Sequence, residues 1–213
     1  MRSVNEFHMG CTGSHTLVAD SVFVPEHRVC QLSVVLSGLA APVEPVYRIP
    51  LAALPLMLVG PMLGSAQAAF DHVTVIVAGD KPLAMSNYRR LADSPSAQAA
   101  LADAATCIDT ARLHVYRSAN MLDATAAAGE SFDPVDRARV RMDAGHASAC
   151  LRAAMGLLLG VAGAASMAAS SPIQRLWRDL ETAARHPSIN TGLSREIYGR
   201  ALVGSSEQVT FWV

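Results

Sequence analysis

Ser171-Pro172-Ile-Gln-Arg175-Leu-Trp-Arg178-Asp179-Leu-Glu-Thr-Ala-Ala-Arg185-His186-Pro187-Ser-Ile-Asn190 is the stretch on which the reading of this chain turns. The Ser171 hydroxyl can cap a helix, and Pro172 falls at the first helical position, where a missing N–H costs nothing. Pro187 disfavours the α conformation at the residue before it, so the helix is expected to end at His186. A histidine is thereby placed at a helix end, on a bend, with Arg175, Arg178, Asp179 and Arg185 on the preceding turns. In a chain only 16% charged, that is a conspicuous polar cluster.

The same opening device recurs upstream. Ser94-Pro95 and Asp133-Pro134 each put a capping side chain before a proline, which predicts helices over 95–129 and from Pro134 to about Ala169. An earlier helix is expected from about Leu51 to Ala78, kinked or interrupted at Pro55 and Pro61 and ended near Gly79. A short helix over 191–204 closes the chain. In the second helix Leu101, Ala105, Ile108, Ala111, Val115, Ala119 and Leu122 form an apolar stripe. The third is polar from Asp133 to Asp143 and apolar after Leu151, so its second half is expected to be surrounded by protein. Gly60, Gly64 and Ala68 recur every four positions and would let another helix approach closely on that face. Short loops between long helices imply antiparallel neighbours, an up-and-down bundle of four long helices and a short terminal one.

Before the bundle, Thr16 to Val24 is β-rich and ended by Pro25, and Gln31 to Leu36 could pair with it. The expected organisation is a β remnant over 1–40, a proline-bearing linker over 41–49 and the helical domain over 50–213. Two strands alone are marginal in water and need helices or a neighbouring chain to complete the sheet.

Composition excludes several function classes. With 213 residues and a net charge of -1, the chain has no electrostatic footprint for nucleic acid or an acidic membrane surface. Two uncharged stretches, 49–70 and 153–174, are long enough to span a bilayer, but their glycines and prolines and the lack of basic flanks favour buried bundle helices. Four cysteines without a CxxC pair and without a signal segment ahead of them suit reduced thiols in a cytoplasmic protein. The histidines other than His186 show no metal-ligand spacing, so no metal is expected.

Three motifs carry a family resemblance. Pro172-x-x-Arg175-x-x-Arg178-Asp179 followed by Ala183-Ala-Arg-His186-Pro, then Tyr198-Gly-Arg-Ala-Leu-Val-Gly204, resemble the C-terminal helical domain of the acyl-CoA dehydrogenase superfamily. Gly10-Cys-Thr-Gly13-Ser14-His-Thr16-Leu-Val-Ala-Asp20-Ser-Val-Phe-Val-Pro-Glu-His-Arg28 resembles the end of that superfamily's middle β domain. Within the superfamily the likeness is to the flavin-dependent monooxygenases, such as the oxygenase components of hydroxyphenylacetate hydroxylases and dibenzothiophene monooxygenases. In that family an N-terminal helical domain and most of the β domain precede this point.

The resemblance implies an oxygenase component that takes reduced flavin, FMN or FAD, from a separate flavin reductase. With O2 it would hydroxylate an aromatic or polyketide-like small molecule. His186 would be the catalytic residue, as general base on a phenol or as hydrogen-bond partner of a peroxyflavin; the structural alternative is a surface cap on its own helix. Gly13 and Ser14, in a small polar loop with Gly10 and Thr16, would lie near the flavin. Arg89, with Arg90 beside it, would reach the flavin pyrophosphate of a neighbouring subunit. Arg178, with Asp179, would hold the cofactor or position the His186 helix by pairing with bundle neighbours. A homotetramer is implied as well. Two rival readings stay open. One is a flavin dehydrogenase acting on a thioester, which needs a carboxylate where this chain has His-Pro-Ser-Ile-Asn-Thr-Gly, with Glu196 the nearest acid downstream. The other is a truncated, non-catalytic assembly partner or cofactor-free binding protein.

Overall fold

The computed structural model describes residues 18–30, 44–205, 207, 209 and 210. Five α-helices account for the body: α1 (Leu54–Ala78), α2 (Pro95–Ala128), α3 (Pro134–Ala162), α4 (Pro172–Ala183) and α5 (Thr191–Leu202). The mainly α bundle is as expected, although α4 is a 12-residue helix rather than a fourth long one. α3 is the central element. It packs along α2, α1 and α5, while α4 lies chiefly on α1.

Sequence chemistry accounts for most helix ends. Ser94 Oγ accepts from the Ala97 N–H at 3.4 Å, and Asp133 Oδ1 accepts from the Val135 N–H at 2.7 Å. Ser171 forms no side-chain cap; its N–H donates to the Ala168 carbonyl at 2.8 Å and closes the preceding turn instead. α3 stops at Ala162 rather than near Ala169, because Gly163 adopts φ 76° and ψ -172°, a conformation that breaks the helix before a 3-10 turn over Ala164–Met167. α4 ends at Ala183, three residues short of His186. α1 begins after a 3-10 turn, with Pro55 in its first turn, and continues through Pro61. Pro61 is exposed, and water can replace the amide it lacks.

Alanine dominates the core. On α2, Ala97, Ala104, Ala111 and Ser118 are buried at heptad spacing with Ile108 and Leu122, a stripe shifted by one residue from the expected Ala105 and Ala119, which are half-buried. Facing them on α3 are Ala144, Ala147, Leu151, Ala154 and Leu158, and on α1 Val59, Met62, Ala66, Ala69 and Val73. Small side chains let helix axes come close, as in coiled-coil-like bundles.

Two expectations are corrected here. Burial on α3 does not follow its charge pattern: Ala138, Val140, Arg141 and Asp143 of the polar half are enclosed, whereas Ala153, Gly156 and Gly160 of the apolar half are exposed along an open groove shared with Ala97, Ala100 and Leu91. Charge patterning misled because a hydrogen-bonded network, described below, solvates part of the polar half. Gly60, Gly64 and Ala68 face outward, and a Cβ added at either glycine would meet nothing within 4 Å. Among the described residues no helix uses that face.

The strand expected over 16–24 is not formed in its described part. Residues 18–24 belong to no strand, and Ser21 has φ 53°. A lone strand has no ladder to satisfy its backbone groups. The partner segment, 31–36, lies outside the described residues. Two helices, Leu51–Ala78 with its leading turn and Pro134–Ala162, are long and apolar enough to cross a membrane; both are core helices of the bundle.

α5 docks on α3 at Gly145. A Cβ there would fall 2.9 Å from Ser194 Oγ and 3.5 Å from the Thr191 Cα, and Thr191 Oγ1 donates to the Gly145 carbonyl at 3.3 Å. Gly145→Ala is therefore expected to destabilise the chain by about 1–3 kcal/mol through overpacking, despite alanine's better helix propensity. Urea unfolding checks this; a stabilised variant would show that α5 can move away at no cost.

Candidate active site

His186 is held in a bend between α4 and α5. Its backbone is extended (φ -62°, ψ 134°), as the following proline requires, and Pro187–Ile189 forms a 3-10 turn. Ile189 is buried against the core and anchors the turn. Asn190 Oδ1 then accepts from the Leu193 N–H at 2.9 Å and starts α5.

The imidazole is exposed, but its Nδ1 is engaged. The Ser188 N–H donates to Nδ1 at 3.2 Å, and Ser188 Oγ lies 2.6 Å from the same atom. A backbone amide can only donate, so Nδ1 is the acceptor and the proton of the neutral ring is on Nε2. Nε2–H is left as a hydrogen-bond donor directed away from the turn. The helix is fixed just ahead of this bend by Glu181, whose carboxylate accepts from Arg152 Nε of α3 at 3.0 and 3.1 Å and from Arg185. Partial burial pushes the Glu181 carboxyl up, yet the hydrogen bonds from Arg152 and Arg185 outweigh it and hold the group below the usual range. Glu181 thus fills the anchoring role expected of Arg178 and Asp179. Neither of those side chains forms an ion pair among the described residues.

The other expected site residues are dispersed. Gly13 and Ser14 lie outside the described residues. Arg89 is exposed in the connection between α1 and α2. Its neighbour Arg90 is engaged, with Nη2 donating to the Ala78 carbonyl at 3.3 Å and Nε 4.0 Å from Asp80. That connection is tied to the end of α3 by Lys81, whose Nζ donates to the Ala162 carbonyl. His186 lies between the α3 levels of Arg152 and Gly145. At 1.5 Å per residue, the two places are on the order of 20 Å apart along α3. One chain therefore does not gather Arg89 and His186 into a single pocket. Arg178, on α4, keeps its Nε buried without a hydrogen-bond partner.

A cluster that sequence reading missed occupies the α2–α3 seam. Asp143 is only 2% exposed, and its carboxylate accepts four hydrogen bonds. Oδ1 accepts from Arg117 Nη2 and, in the Nδ1–H tautomer, from His114 Nδ1 at 2.9 Å, a nitrogen that also lies 3.0 Å from Arg117 Nη2; Oδ2 accepts from Ser118 Oγ at 2.7 Å and Arg117 Nε at 3.2 Å. The buried charge is thus fully solvated by protein. His146, on the next turn of α3, packs edge-on against His114 with ring centroids 4.7 Å apart. The only signal in the sequence was spacing: His114, Arg117 and Ser118 share one face of α2, and Asp143 and His146 one face of α3.

Burial lowers the His146 pKa from the ordinary 6.5; His114 and Arg195 lower it further, against an opposing pull from Asp143. Its folded value is below its unfolded one, so the unfolded chain binds the proton more readily. The resulting stability is present above about 6.5 and is lost as pH falls through the window below it. His146→Gln should flatten the loss of melting temperature between roughly pH 7 and pH 5; an unchanged slope would show that His146 does not contribute.

The family described as "Acyl-CoA dehydrogenase, C-terminal domain" matches residues 56–191. The oxygenase subunit HsaA of a flavin-dependent monooxygenase from Rhodococcus jostii is 32% identical over 91% of this chain and 52% of its own length. The oxygenase component of an FADH2-dependent resorcinol hydroxylase from a Rhizobium species is 29% identical over 91% of this chain and 50% of its own. Among solved structures, XiaF from a Streptomyces species in complex with FADH2 and glycerol superposes with a TM-score of 0.90 at 34% identity, over 98% of this chain and 53% of that one. The chain spans about half the length of the curated relatives it matches.

Proposed function

The chain belongs to the acyl-CoA dehydrogenase C-terminal domain family, and we propose that it is the helical half of the oxygenase component of a two-component flavin-dependent monooxygenase. The substrate class is an aromatic or polyketide-like small molecule, and a separate reductase supplies the reduced flavin. The observation that carries this reading is the likeness to oxygenases of that kind over nearly the whole chain, HsaA in sequence and XiaF in sequence and fold. Two relatives name FADH2, so FAD is the flavin to test first.

The residues present fit such a cofactor. Arg178 offers a buried donor with no protein partner, and Arg89 an exposed cation. Arg178 would hold a polar group of the flavin. Arg89, placed far along the bundle from His186, would serve the pyrophosphate of a flavin bound mainly by a neighbouring copy, which makes a homotetramer part of the proposal. Gly13 and Ser14 would complete the flavin surface. Bound reduced flavin supplies the electrons that activate O2; the chain supplies orientation and a proton donor. Ser188 fixes the His186 ring, so that Nε2–H donates to an oxygen atom at the reacting centre. With Nδ1 committed to the Ser188 amide, this donor role is favoured over that of a general base.

The dehydrogenase reading loses support from the only nearby downstream acid. Glu196 is exposed on α5 and paired with Arg200 at 3.1 Å. Anaerobic titration with reduced FAD and reduced FMN tests the proposal. Micromolar binding, followed by an oxygen-dependent absorbance change on admitting air, is expected. A folded chain that binds neither flavin would overturn it in favour of an assembly partner or cofactor-free binder.

A further inference from the structure

The antiparallel seam between α2 and α3 has a register fixed by the hydrogen bond from His114 to Asp143. Seven residues back along α2 from His114 is Cys107, and seven residues on along α3 from Asp143 is Cys150. One more heptad brings Ala100 and Leu157, which line the same groove. In helices packed lengthwise, a heptad step returns each chain to the same side of the seam. Cys107 and Cys150 are therefore opposite one another, bracketed by a bonded pair on one side and a shared groove wall on the other. The buried residues between them, Ala104, Ala111, Ala147 and Ala154, are small enough to let the backbones approach closely, as a disulfide requires, with Cα atoms about 4.4–6.8 Å apart.

The thiols have chemistry to match. Both are free and half-buried, so a small oxidant can reach them. Cys150 Sγ lies 3.6 Å from His146 Nε2. Burial, with Cys107 nearby, raises the Cys150 thiol, so loss of its proton needs an acceptor in contact, and His146 Nε2 is the nitrogen placed there. Cys150, with a histidine nitrogen in reach of its sulfur, is placed to be the thiol that closes the bond.

We infer that Cys107 and Cys150 form a redox-modification site at which a hydroperoxide converts the dithiol to a disulfide joining α2 to α3. The Cys107 thiolate attacks the peroxide; the O–O bond breaks, giving a sulfenic acid and, from hydrogen peroxide, water. Cys150 sulfur then attacks the sulfenic sulfur, the S–O bond breaks, and the Cys150 proton passes through His146 to the departing hydroxide. Two thiols lose two electrons, and one hydrogen peroxide becomes two waters.

The test uses the unaltered chain, so failure of a variant to fold cannot hide the result. Brief exposure to hydrogen peroxide, alkylation of remaining thiols and peptide mapping should give a Cys107–Cys150 cross-link that dithiothreitol reverses. Cys150→Ser should leave Cys107 as a sulfenic acid trapped by dimedone. His146→Gln should slow closure by about tenfold or more with peroxide consumption at Cys107 unchanged. Conversion of both cysteines to sulfinic acids without a cross-link, or a disulfide that recruits Cys11 or Cys30 instead, would overturn the inference.

Discussion

Replacing Arg117 with Ala is expected to lower the unfolding free energy by about 3 kcal/mol, near the lower end of what breaking a buried ion pair costs. The reason is the asymmetry between the two partners. The Arg117 side chain is 52% exposed and regains water when unfolded or displaced, whereas the Asp143 side chain is 3% exposed and cannot. Without the guanidinium, Asp143 keeps only His114 and Ser118 as donors, and its charge is left in a seam lined by Ala111, Ala144 and Ala147. For a chain of this size each kcal/mol shifts the melting temperature by about 2–4 °C, so a fall of roughly 6–12 °C should be seen by calorimetry. Arg117→Lys should recover only part of it, because an ammonium cannot supply the paired Nε and Nη2 contacts. A double-mutant cycle with Asp143→Ala should return a coupling of about 1 kcal/mol or more. A loss below 1 kcal/mol for Arg117→Ala would mean that water reaches Asp143 and that the network is ornamental.

The same network marks the boundary of what the sequence made legible. Capped, proline-led helix starts at Ser94-Pro95 and Asp133-Pro134 could be read because capping is local: donor and acceptor are within three residues of one another. The bend at His186 was legible for the same reason, since Pro187 acts on its own neighbour. Asp143 was not. Its partners come from a residue range 25 to 29 positions away, and nothing in the composition of α3 distinguishes a carboxylate that meets a guanidinium from one that meets water. α3 was consequently expected to be surrounded by protein along its apolar half, with no buried charge foreseen in its polar one. Glu181 was overlooked on similar grounds, because its partner Arg152 stands on another helix. Gly145 gave no signal either; a glycine inside a helix reads as a weak point until Ser194 and Thr191 are found against it. The end of α3 at Gly163 was missed because the uncharged run continues past it, and only the backbone conformation shows that the helix does not.

Replacing His186 with Ala is expected to reduce hydroxylation turnover by roughly 10²–10³-fold, the range observed when a single positioned donor is removed from a reacting oxygen. Stability and reduced-flavin affinity should be nearly unchanged, within about threefold in Kd, since the imidazole is exposed and its bonds are confined to Ser188 of its own turn. The informative companion is His186→Gln. A glutamine amide can donate from its terminal nitrogen but cannot exchange a proton near neutral pH. If Nε2–H acts as a donor, the Gln variant should keep at least about a tenth of wild-type turnover, well above Ala. If His186 instead withdraws a proton from a phenol, Gln should be as inactive as Ala. Ser188→Ala separates the two cases further. It removes the Oγ contact but leaves the Ser188 N–H on Nδ1, so the tautomer is retained and the donor role predicts a loss of less than about tenfold. The assay is phenol hydroxylation by the full oxygenase supplied with reduced FAD, with product and hydrogen peroxide counted separately. Unimpaired product formation by His186→Ala would remove His186 from the chemistry and leave it as the hinge between α4 and α5.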